Sequence, residues 1–149
     1  MDRKILVPVD GSAAADRMIA AIIARKTQFQ APLTVLHVVN VDKLAFRMIP
    51  DFQLDMIRDS ARKAGEGVLN EQLARFTAAG VACEARLEFG SPRETICRIA
   101  NDEGFDLVIL GRRGMGEIRD ALFGAVSNHV LHHVRCPVLL IYVPVGALP

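Results

Sequence analysis

Short apolar runs alternate with helical stretches along the whole chain, and this alternation limits the fold more than any single residue does. Ile5-Leu6-Val7-Pro8-Val9 is a β-rich run ended by Asp10-Gly11-Ser12. A helix follows, with Ala15, Met18, Ile19, Ile22 and Ile23 at helical spacing and Ser12 as its N-cap. Residues 33–39 form a second buried strand. A long helix over 51–79 carries Leu54, Ile57, Ala61, Ala64, Val68, Leu73 and Phe76 as its apolar stripe and stops at Gly80. Residues 81–89 are a third strand, less apolar and so nearer a sheet edge. Ser91-Pro92-Arg93-Glu94 predicts an N-cap, a proline at the first helical position and a capping-box glutamate, with Gly104 closing that helix. Residues 106–110 form a fourth strand, a last helix carries Val126, Val130, Leu131 and Val134, and residues 138–143 form a fifth strand ended by Pro144.

The order β-α-β-α-β-α-β-α-β implies a parallel sheet with helices on both faces, a three-layer α/β/α fold. Continuous apolar strands suit a sheet covered on both sides. The 149 residues fit one domain, over 1–144, with a loose tail at 145–149. A formal net charge of +1 argues against a global field for nucleic acid or membranes, and no apolar run approaches the ~20 residues of a membrane span. Cys83, Cys97 and Cys136 are odd in number and include no C-x-x-C pair, which fits a reducing compartment. The expectation is a cytoplasmic protein.

In an open α/β sheet, ligands bind beyond the carboxyl ends of the strands, where strand order reverses. Two such ends stand out: Val9-Asp10-Gly11-Ser12 after the first strand and Gly111-Arg112-Arg113-Gly114-Met115-Gly116 after the fourth. Glycines let backbone amides approach a ligand, and a following helix N-terminus favours an anion. Gly124 marks the start of the last helix, because glycine costs ~1 kcal/mol in a helix interior. Its neighbours Ala125, Val126 and Ser127 then supply first-turn amides, and the Ser127 hydroxyl is a candidate phosphate donor. On spacing alone, tight turns explain these glycines as well as phosphate binding does. No Walker loop is present.

Taken together, these residues resemble the universal stress protein family. The resemblance rests on residues 5–12, on Leu36-His37-Val38-Val39 and on the stretch from Asp106 to Tyr142. Gly111, Gly114 and Gly124 match the three glycines of the family motif G-x2-G-x9-G-[ST]. It implies a five-stranded sheet of order 3-2-1-4-5, with ATP or a related adenine nucleotide, and Mg where it accompanies the nucleotide, in the crevice between strands one and four. By position, Pro8, Val9 and Asp10 would lie beside adenine and ribose, with Val38 or Val39 also on the base. Gly111 and Gly114 would shape the pocket, and Gly124, Ala125, Val126 and Ser127 would wrap the phosphates. The motif's last hydroxyl is missing, since Ala125 stands in its place.

Arg112 and Arg113 are candidates to pair with phosphate charge, or else belong to a solvated loop. Asp10 has a second reading as a cap for the turn before the first helix. His37, on a buried strand, reads as a hydrogen-bonded core histidine. His129, His132 and His133 have metal-compatible spacing, but no carboxylate or cysteine lies nearby in sequence, and no metal site or catalytic residue is assigned. The expected function is a nucleotide-responsive stress regulator, at most a slow ATP hydrolase. The alternative is a non-nucleotide-binding, dimeric interaction module of the same fold. In the order that the resemblance implies, the uncharged run 138–143 is a sheet edge. Such an edge calls for pairing with a second copy, the homodimer that the resemblance also implies.

Overall fold

The computed structural model describes residues 3–40, 50–111 and 124–142. Five strands, β1 (Ile5–Pro8), β2 (Leu33–Val39), β3 (Cys83–Phe89), β4 (Leu107–Gly111) and β5 (Val138–Ile141), pair in the order β3-β2-β1-β4-β5. All four pairings are parallel. The helices are α1 (Ala13–Ala24), α2 (Asp51–Ala78), α3 (Pro92–Asp102) and α4 (Ala125–His133), with a 3-10 turn at Lys26–Gln28.

Because side chains alternate along a strand, the sheet splits the core in two. Val7 and Val35 point to the face covered by α1 and α2, where Ile19, Ile22, Leu69 and Phe76 are buried. Leu6, Leu36 and Val108 point to the other face, against Ile96 and Ile99 of α3 and Val130 of α4. Each fully buried Leu, Ile, Val or Phe contributes about 1.5–3 kcal/mol.

Local chemistry sets the helix ends. The Ser12 hydroxyl accepts the Ala15 amide at 3.1 Å, as an N-cap should. Gly80 and Gly104 take positive φ of 78° and 69° after α2 and α3. Ser91 departs from expectation. Its side chain makes no capping bond to α3; its backbone carbonyl accepts the Thr95 amide at 2.9 Å. Pro92 at the first helical position has no amide to satisfy, so one demand on the cap is gone.

The stripe of α2 is also corrected. Gly65, Leu69, Gln72 and Phe76 are its buried residues, whereas Ala64 is exposed and Leu54, Ile57, Ala61, Val68 and Leu73 are half-buried. The 28-residue helix is about 42 Å long, while a 7-residue strand such as β2 spans about 23 Å. The N-terminal half therefore overhangs the sheet, and Phe52 and Met56 are exposed there. The strand ends shift by one or two residues: β1 stops at Pro8, β3 starts at Cys83, β4 runs from Leu107 to Gly111 and β5 stops at Ile141.

Candidate functional site

Strand order reverses at β1, with β2 on one side and β4 on the other. Beyond the carboxyl ends of β1 and β4 lies a cavity of about 430 Å³, within the usual range for small-molecule sites. Its floor is apolar. Pro8, Val9, Leu36, Val38 and Leu110 come from the strands, Ala14, Ala15 and Met18 from α1, and Pro92 and Ile96 from α3. Gly111, Gly124, Val126 and Ser127 close the β4–α4 side, while Asp10 and Ser12 supply polar groups from the β1–α1 turn.

Three helices, α1, α3 and α4, begin at this wall, at Ala13, Pro92 and Ala125. Each helix start carries a partial positive charge and amides without intrahelical partners. Among the described lining residues there is no lysine or arginine, and the positive potential that those residues supply comes from the helix starts. Asp10 is the single carboxylate there. Its Oδ1 accepts the Ser12 amide at 2.9 Å, so Asp10 both braces the turn, as its second reading held, and faces the cavity. Gly11 follows with φ of 78°, a conformation that side chains rarely adopt. Gly111 brings β4 close to α1, since a Cβ built there would stand 3.4 Å from Met18.

The structure gathers Pro8, Val9, Asp10, Val38, Gly111, Gly124, Val126 and Ser127 around one cavity. Three placements differ from the sequence reading. Val39 is not on the cavity wall; its side chain lies on the α2 face, where a Cβ on Gly65 would stand 3.0 Å from it. Alternation explains this, because neighbouring strand residues cannot share a face. Ala125 is exposed and off the wall. The Ser127 hydroxyl donates to the Gly111 carbonyl at 3.1 Å, tying the start of α4 to the end of β4. Arg112, Arg113 and Gly114 lie outside the described residues.

Part of the wall has little sequence signal of its own: by pattern, Ala14, Leu36, Pro92, Ile96 and Leu110 are only members of helices and strands, and Ala15 and Met18 are core, yet all of them line the cavity. One usable signal was the Pro92 helix start, which a β3–α3 connection in a parallel sheet must place at this edge.

Elsewhere, burial pushes the Cys83, Cys97 and Cys136 thiols up, away from the reactive thiolate. His129 and His133 stack with ring centroids 4.0 Å apart, and the His133 Nδ1 bonds to the His129 carbonyl. Among the described residues no three His, Cys, Asp or Glu side chains converge as metal ligands. No helix among them is long and apolar enough to cross a membrane.

A parallel five-stranded sheet of this order, with an apolar crevice at its switch point and helix N-termini around it, defines an open-sheet, three-layer α/β protein. The model of the universal stress protein family matches residues 1–142, and the chain belongs to that family. The universal stress protein YxiE of Bacillus subtilis is 29% identical over 95% of this chain and 99% of its own length. The structure of the universal stress protein UspA from Lactobacillus plantarum superposes with a TM-score of 0.72 at 28% identity, covering 93% of this chain and 97% of that one. Two more distant structures share the fold. One is an Arabidopsis thaliana family protein with AMP bound, at TM-score 0.70, 24% identity and coverage of 99% and 95%. The other is a universal stress protein in complex with cAMP, at TM-score 0.66, 19% identity and coverage of 95% and 96%.

Proposed function

We propose that this universal stress protein binds an adenine nucleotide, ATP or a close relative, in the crevice between β1 and β4, and acts as a nucleotide-responsive regulator of a stress response. The observation that carries the proposal is the cavity itself: an apolar floor, one carboxylate and three helix starts at a topological switch point. The apolar floor suits a purine face. Asp10 keeps an oxygen for a ribose hydroxyl, and the first-turn amides of α4 suit phosphate. The AMP and cAMP bound by two fold relatives support an adenine nucleotide as the ligand. Magnesium would arrive with the phosphates. With Asp10 the lone carboxylate on the described wall, binding fits better than efficient phosphoryl transfer.

The working unit in this proposal is a cytoplasmic homodimer joined through β5. The β3 edge carries Glu84, Arg86 and Glu88, charges that deter pairing, whereas β5 carries none and Leu139 is 38% exposed. The competing reading, a dimeric interaction module without nucleotide, draws on Ala125, which lacks the motif's hydroxyl and sits off the wall. Titration calorimetry with ATP, ADP, AMP and GTP separates the two. At least one adenine nucleotide should bind, in preference to GTP. No heat and no thermal shift at millimolar nucleotide would favour the interaction module.

A further inference from the structure

We propose that His37 is a positioning residue for the nucleotide crevice, holding the Val9–Asp10 segment from beneath α2; this rests on the nucleotide reading above. β1 ends at Pro8, so Val9 has left the sheet ladder. Its amide still donates to the Leu36 carbonyl at 2.8 Å. The Val9 carbonyl bonds instead to His37 Nδ1 at 2.9 Å, in partly buried surroundings. A carbonyl only accepts, so Nδ1 carries the proton and the tautomer is set.

Val9 is thus held at both backbone groups while its residue lines the cavity. The next residue, Asp10, is braced by the Ser12 amide, and the positive φ of Gly11 turns the chain into α1. The aim of the Asp10 carboxylate therefore depends on where the Val9 carbonyl is pinned. The imidazole itself is not part of the cavity wall. It sits on the opposite face from Val38, beneath α2, where a Cβ on Gly65 would stand 3.2 Å from its Cδ2. α2 thereby holds the ring that holds the turn. Without the histidine, the Val9 carbonyl loses its partner and the segment gains freedom that ligand binding must then remove.

The test uses two variants in the full chain. In His37→Asn the amide nitrogen takes the place of Nδ1 and restores the donor, whereas His37→Leu keeps bulk and removes it. In ligand-free protein, exchange of the Val9 amide should be faster in His37→Leu and near wild type in His37→Asn. In calorimetry, His37→Leu should bind AMP and ATP more weakly by the same factor, roughly three- to tenfold, because the pinned segment meets base and ribose rather than the outer phosphates. His37→Asn should recover most of that loss. If the wild type binds and folded His37→Leu matches it in affinity and in Val9 exchange, the positioning role is wrong and the nucleotide reading stands. If the wild type binds no nucleotide, both fall. Equal loss in both variants would make His37 a packing residue only.

Discussion

The Ser127 hydroxyl donates to the Gly111 carbonyl, sixteen residues away in the chain. That bond arises only when β4 and α4 come together, so no local pattern announces it. Ser127→Ala should cost about 1 kcal/mol of stability by chemical denaturation and weaken nucleotide binding only modestly. Gly124→Val should do the reverse. Gly124 has φ −69° and ψ 166°, values that any residue adopts, so the variant should fold, yet the new side chain would stand at the cavity wall. Calorimetry should rank Gly124→Val as the larger loss of affinity; the opposite ranking would misplace the backbone cradle. Ala125 is exposed in the first turn of α4, so in the proposed complex a hydroxyl there would reach only phosphates that extend beyond the cavity. Ala125→Ser should accordingly tighten ATP more than AMP. Val38 and Val39 were equal candidates in sequence because both faces of a doubly covered sheet are apolar; only the placement of α3 and α4 separates them.

At the scale of elements, strands and helix caps were largely legible, because β-rich runs, glycine stops and Ser12 act locally. The buried stripe of α2 was not, since its overhang depends on the sheet's width and its closest approach is a glycine. A Cβ on Gly65 would stand 2.9 Å from Leu87 and 3.0 Å from Val39. Gly65→Ala should therefore destabilise the fold by about 1–3 kcal/mol in denaturant melts, despite alanine's higher helix propensity. The β3 edge makes a pH prediction. Arg86 bonds Glu103 at 2.6 Å and Glu88 at 2.9 Å. The Arg86 hydrogen bond holds the Glu103 carboxyl below the usual carboxylate range, against a smaller opposing effect of burial. A depressed folded-state pKa stabilises above the ordinary glutamate value and loses that stabilisation as pH falls through the folded one. Glu103→Gln should flatten the decline in melting temperature below roughly pH 4. An unchanged acid limb would show that the pair adds nothing, a known outcome for surface ion pairs.

For the whole molecule, alternation alone implied a parallel three-layer fold, but strand order came through family resemblance, because pairing between distant strands leaves no local trace. The same order exposes β5. Leu140 and Ile141 pack partly against the two cores, while Leu139 is the more exposed. Leu139→Lys therefore tests dimerisation with little injury to the core. Light scattering at tens of micromolar should find a wild-type dimer and a variant shifted toward monomer. A stable wild-type monomer would mean that something else covers the strand.

An adenine nucleotide between β1 and β4 would be seen by amide-resolved nuclear magnetic resonance during titration with ATP. Saturable shifts should concentrate at Val9, Asp10, Val38, Gly111, Gly124 and Ser127 and leave the β3 edge at Glu84 and Arg86 unmoved. Absence of shifts at millimolar ATP, or shifts centred away from the cavity, would rule out a nucleotide in this crevice.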